Sequence, residues 1–242
     1  MDRLDLGGRT LAAARLGPQK SPGLLALRHA LEFDRPGLWV DDPAHPRSIA
    51  LLRGGDDGPD AFADGRPDEA VRWLRGLGRP VTLHAPARWV AALGEARRFE
   101  VETWAGPPGI APRDAAGARR LGLADATAFH AVAPAWALRG WGTFEDMTRR
   151  SAGFGVDGGG GLAAAAWGLD RAGRYESVGV AVDPRYRRLG LGRAAASAMI
   201  GWILGRGRSP TWSVAPGNLP SRGLARALGL RRRSVESIWR LG

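Results

Sequence analysis

The stretch VAVDPRYRRLGLGRAAASAMI, residues 180–200, decides how the chain is read. An apolar run ends at Val182, Asp183 to Leu189 turn, and Gly190-Leu191-Gly192 open an alanine-rich helix predicted to reach about Leu204. The first N–H groups of such a helix lack intrahelical partners, and its aligned peptide dipoles place roughly half a positive charge there. Glycines at that point let an anion lie against the backbone and permit a positive φ. Arg185, Arg187, Arg188 and Arg193 surround the turn with cations. The pattern predicts a bound anion shaped like a pyrophosphate.

Two families of ligand fit a glycine loop of this kind. Gly190, Gly192 and Ala195 satisfy G-x-G-x-x-A, a dinucleotide fingerprint. Its context fails, because the glycines stand well beyond the strand, no acid follows near Trp212, and too little chain remains to complete that sheet. The better fit is R-x-x-G-x-G, from Arg187 through Arg188, Leu189, Gly190 and Leu191 to Gly192, preceded by a strand and Val182-Asp183-Pro184. Downstream, NLPSRGLARALGL (218–230) has an asparagine, a small residue three on, and a Leu-Gly-Leu end. On these two motifs, in this order, the segment from about 110 to 242 resembles the GNAT superfamily of N-acyltransferases.

The resemblance implies an α/β fold with a central mixed sheet flanked by helices, and acetyl-CoA as co-substrate without a metal. In the family, the strand matching Tyr175 to Val182 splays from its neighbour and the pantetheine arm pairs with it. This makes the backbone of Val180 and Val182 the expected partners, with one N–H there polarising the thioester carbonyl. The loop of Arg187, Arg188, Leu189, Gly190, Leu191, Gly192 and Arg193 is expected to hold the pyrophosphate; the alternative is an ordinary glycine turn with solvated arginines. Glu176 matches the position of a glutamate base in some amine acetyltransferases, and the alternative is a carboxylate paired with a nearby arginine. Asn218 matches the residue that fixes the cofactor arm, or else caps the next helix, whose first turn holds Ser221. Seven residues after the asparagine the family often carries a tyrosine that protonates the leaving thiolate, and here that position is Ala225. Ser221, water or release of the thiolate itself would then serve. The resemblance thus implies acetyl transfer to a primary amine, with a non-catalytic CoA-binding module as the alternative.

Outward from this stretch, the 242 residues suffice for one large domain or two small ones, and two are expected. AGPPGIAPRDAAG, residues 105–117, is the best linker, and places an N-terminal α/β domain at 1–107 and the acyl-CoA domain at 108–242. Helical spacing at Leu24, Leu27 and Leu31, strands at 37–40, 48–53, 81–85 and 99–105, and helices over PDEAVRWLRGL and ARWVAALGEA fill the first part. With its loose resemblance to a bacterial two-part subgroup, that part reads as a degenerate GNAT-like half. After the linker come two helices, a hairpin turning at Gly158–Gly161, the strand ending at Val182, the quoted helix, and strand, helix, strand.

The absence of cysteine excludes disulfides and thiolate chemistry, and four scattered histidines offer no helical metal pair. The start Met1-Asp2-Arg3-Leu4-Asp5 has no leader pattern and no run of about 18 apolar residues follows, so a cytoplasmic protein without a membrane partner is expected. The formal charge of +11 suits a nucleic-acid partner, but it is nearly all arginine in an Ala- and Gly-rich chain, which favours composition bias. A small-molecule or peptide amine acceptor is expected, and a homodimer is left open. Trp136, Trp141, Trp167 and Trp212 read as core packing in preference to a cleft lining.

Overall fold

The computed structural model describes residues 1–4, 6–16, 24–54, 58–106 and 115–242. Most of the segment read as a linker, 107–114, lies outside the described residues. The described chain forms two compact units, one of Met1–Glu102 with Val235–Gly242 and the other of Thr103–Ser234.

Unit 1 runs β1 (Asp2–Arg3), α1 (Leu6–Leu16), α2 (Leu25–Glu32), β2 (Leu38–Val40), β3 (Ser48–Arg53), β4 (Asp60–Gly65), α3 (Pro67–Arg75), β5 (Val81–His84), α4 (Val90–Leu93) and β6 (Arg97–Ala105). Its sheet is antiparallel from β1 to β4, and β4 pairs β5 in parallel. α3 starts as its sequence dictates, with Pro67 in the first turn followed by Asp68 and Glu69, which oppose the helix dipole. Its buried face, Ala70, Val71 and Leu74, packs with the fully buried Ala50, Ala61 and Ala63, small side chains that let a helix approach β3 and β4. The helix expected over ARWVAALGEA is shorter than its spacing suggested. It is a 3₁₀ turn at Ala87–Trp89 and one turn of α4, stopped where Gly94 takes φ 56°. Trp89 is fully buried and donates its indole N–H to the Gly65 carbonyl at 3.2 Å, so tertiary packing fixes this segment.

Unit 2 begins with the end of β6 and continues through β7 (Ala118–Arg120), α5 (Ala126–Val132), α6 (Phe144–Arg150), β8 (Gly153–Gly158), β9 (Gly161–Ala172), β10 (Tyr175–Val182), α7 (Leu191–Leu204), β11 (Ser209–Val214), α8 (Leu219–Ala227) and the start of β12 (Arg231–Leu241). β12 ends in unit 1, where Ile238–Leu241 pair antiparallel with β5. β7 to β10 form an antiparallel series and β10 pairs β11 in parallel, which makes the sheet mixed. β9 is covered on both faces, as its run of Ala163 to Trp167 at 0 % exposure requires. Ala164 and Ala166 join the cluster of Met199, Ile200 and Ile203 from α7, while the Trp167 ring meets Phe129 of α5 edge-on at 5.3 Å. Each of those α7 side chains is fully buried and contributes about 1.5–3 kcal/mol. Central mixed sheet and flanking helices match the fold class read from the sequence.

Candidate functional site

The glycine loop leaves β10 at Val182 and enters α7 at Leu191, as its sequence predicts. Asp183 accepts the backbone N–H of Arg185 at 2.9 Å and pairs with its guanidinium at 2.7 Å, folding the chain into a 3₁₀ turn at Pro184–Tyr186. These hydrogen bonds from Arg185 hold the Asp183 carboxyl below its ordinary value. The Tyr186 hydroxyl accepts the Gly159 N–H at 3.0 Å and ties the loop to the β8–β9 hairpin. Arg187, Arg188, Leu189 and Gly190 are exposed. Gly190 caps α7 with φ 82°, where L-residues are strained, and Arg188 adopts φ 64° at that cost. Gly192 serves a different need, since a Cβ there would lie 2.7 Å from Val182 Cγ2. The Arg193 Nε is buried with no hydrogen-bond partner.

β10 keeps its antiparallel pairing to β9 as far as Val182↔Ala164. On the other side, its ladder with β11 runs only from Tyr175↔Ser209 to Ser177↔Thr211. From Val178 onward the two parallel strands part, and the open end of the gap leads to the glycine loop. Val180 and Val182 are half-buried, with side chains against α7 and backbone in the splayed segment. Asn218 caps α8, its side chain accepting the Ser221 N–H at 3.2 Å. The Ser221 hydroxyl in turn accepts the Trp212 indole N–H of β11 at 2.9 Å, which leaves the hydroxyl proton for another acceptor. Ala225 lies one helical turn beyond Ser221, fully buried in the same cluster as Trp212 and Val178.

Glu176 lies at the closed end of the gap. It is 0 % exposed; one carboxylate oxygen accepts the Ser151 hydroxyl and the other the Arg208 guanidinium at 3.0 Å. Burial pushes its carboxyl up from the ordinary value, against the pull of Ser151, Arg171 and Arg208. The arginine pairing that sequence offered as the alternative to a base is therefore present. The structure brings Glu176 to Ser151 and Arg208, not to the glycine loop or to solvent. Nothing in the local sequence marked Ser151, Gly168 or Arg208; a Cβ on Gly168 would lie 2.0 Å from Ser151 Oγ and 2.6 Å from Glu176 Oε1. Trp141, Trp167 and Trp212 are core, and Trp136 is half-buried against Trp167 at 6.0 Å. Among the described residues no three metal-ligating side chains come together, and no helix is long and apolar enough to cross a membrane.

With this geometry in place, residues 119–235 match the family described as GNAT acetyltransferase. Curated protein sequences contain no match to the chain. Among solved structures, a GCN5-related N-acetyltransferase-like protein from Streptococcus suis superposes with a TM-score of 0.73 at 19% identity, covering 97% of this chain and 99% of that one. A tandem GNAT protein from the clavulanic acid biosynthesis pathway, solved without AcCoA, gives 0.65 at 17%, covering 98% and 96%. A putative GNAT-family acetyltransferase from Novosphingobium aromaticivorans gives 0.61 at 24%, covering 81% and 88%. At these identities the likeness is one of fold.

Proposed function

Residues 119–235 being a GNAT acetyltransferase domain, we propose that the chain transfers acetyl from acetyl-CoA to a primary amine by direct attack. The observation that carries this reading is the gap between β10 and β11, which opens beyond Ser177↔Thr211 and leads to a helix capped by a positive-φ glycine. An extended pantetheine arm fits such a gap as an added strand, through the backbone of Val180 and Val182. The N–H groups from Arg188 to Arg193, with the side chains of Arg187 and Arg188, suit the pyrophosphate. Asn218 would orient the arm from the start of α8.

In the reaction the neutral amine nitrogen attacks the thioester carbonyl, the C–S bond breaks, the nitrogen gives its extra proton to water, and the thiolate takes a proton from a donor that water reprotonates. A backbone N–H of the splayed segment stabilises the negative charge that develops on the carbonyl oxygen. Ser221, whose lone pair is occupied by the Trp212 N–H, is the proposed proton donor to the thiolate. The acceptor is proposed to be a small molecule or peptide amine, in a bacterial cytoplasmic setting in keeping with the arginine-rich, cysteine-free composition. Unit 1 is proposed to be a degenerate GNAT-like half, supported by fold neighbours that cover nearly the whole chain, a tandem GNAT protein among them.

Ala225 at the usual tyrosine position favours a second reading, a module that binds acyl-CoA without turnover. Thiol release from acetyl-CoA with a panel of amines separates the two. Acceptor-dependent release, reduced in Ser221→Ala, supports transfer; saturable binding with no release on any amine leaves the binding module.

A further inference from the structure

Glu176 stands where two strands part. Its backbone lies opposite Pro210 on β11 and Arg171 on β9, and the β10–β11 ladder ends one residue later. The register with β9 also shifts between Glu176 and Val178. At this point the carboxylate holds Ser151, just past α6, and Arg208, the residue before β11. Glu176 is 0% and Ser151 1% exposed, so the carboxylate is shielded from water, while the Arg208 side chain keeps 24% of its surface open. Gly168 on β9 leaves the space that the cluster fills, its N–H bonding the Ala152 carbonyl at 3.1 Å and its own carbonyl accepting the Trp141 indole N–H at 2.8 Å. Arg174 and Ser209 close the ladder on the far side, carbonyl to N–H at 2.7 Å.

A buried ion pair gives little net stability over an apolar replacement, but losing one member leaves the other unpaired in a poor solvent. Its geometry therefore constrains the elements it joins more than its energy stabilises them. Here those elements are the segment after α6, β9, β10 and the entry to β11. A base needs hydrogen-bond reach to the proton it takes, and no atom of Glu176 is exposed.

We infer that Glu176, with Arg208 and Ser151, is a positioning residue: the cluster fixes where β10 leaves β11, and so the shape of the gap that receives the acyl-CoA arm. This rests on the proposed acyl-CoA reading, and the test separates the two. Backbone amide shifts of Val178–Val182 and Thr211–Val214 are compared in ligand-free wild type, Glu176→Gln, Arg208→Gln and the double variant, together with acetyl-CoA affinity by calorimetry. The expected result is shifts throughout both segments in each single variant, with affinity down roughly tenfold. The double variant, which restores an uncharged hydrogen-bonded pair, moves both readouts back towards wild type. Should Arg208→Gln fail to fold, Arg208→Lys supplies the smaller displacement of the same sign.

The rate profile against pH gives the opposing outcome. If Glu176 is the base, Glu176→Gln abolishes the acid limb of kcat/KM, leaves acetyl-CoA affinity intact, and is not corrected by Arg208→Gln. Unchanged amide shifts in the single variants likewise overturn the inference. If no variant and no wild type binds acetyl-CoA, the functional reading fails, while the amide shifts still decide what the cluster positions.

Discussion

Gly190 has no heavy atom within 4 Å of an added Cβ, whereas Gly192 has Val182 at 2.7 Å, so two glycines one residue apart fail in different ways when replaced. At Gly190 a side chain meets only the backbone penalty of φ 82°, about 1–2 kcal/mol. At Gly192 it forces α7 away from β10, at about 1–3 kcal/mol. Gly190→Val is thus expected to keep the fold with a small loss in denaturant midpoint and to weaken acetyl-CoA binding more than tenfold. Gly192→Val is expected to lose stability as well as affinity, and equal affinity to wild type in both would refute the loop assignment. The two roles were not separable in sequence, which shows that a glycine is needed without showing whether φ or space demands it. The same limit applies to Glu176. Its position on a strand was readable, but its partners lie 25 and 32 residues away and follow no local period.

Among elements, β7, α5 and β8 are joined by one guanidinium. Arg119 bonds Asp125 just before α5 at 2.8 Å and Asp157 near the end of β8 at 2.7 Å. Its hydrogen bonds hold both carboxyls below the ordinary value of 3.8. Carboxyls lowered in the folded state stabilise it above that value, and the contribution is lost as pH falls through the folded pKa. Urea midpoints are therefore expected to drop below about pH 4 in wild type and to drop less in Arg119→Gln, with the difference shrinking in salt because the arginine is half exposed. Glu176 acts with the opposite sign. Its raised carboxyl favours the folded state at low pH, and that contribution fades as pH rises through its folded pKa. Asp125 stands just before α5, yet its oxygens serve Arg119 and the Gly122 N–H in place of the helix itself. β1 and β7 were missed because two or three residues at a sheet edge carry no period. β4 was missed because Asp60, Asp64 and Gly65 disguise the buried alternation of Ala61 and Ala63.

At the scale of the molecule, the mixed α/β class and the order of the elements that follow β7 came from alternation, glycine turns and two spaced motifs. The return of β12 into unit 1 did not, because strand partners separated by more than 150 residues leave no trace in one sequence. Part of the formal charge of +11 is carried by arginines paired with acids, Arg119 with Asp157 and Arg185 with Asp183 among them. Unit 1 has no R-x-x-G-x-G stretch comparable to Arg187–Gly192. If the chain pairs one competent with one degenerate half, as proposed, it is expected to bind one acyl-CoA. Calorimetric titration of the whole protein with acetyl-CoA tests this most directly. The account predicts a saturable site with a stoichiometry of one, abolished or severely weakened by Gly190→Val, whereas no binding, or binding that the substitution leaves unchanged, would contradict it.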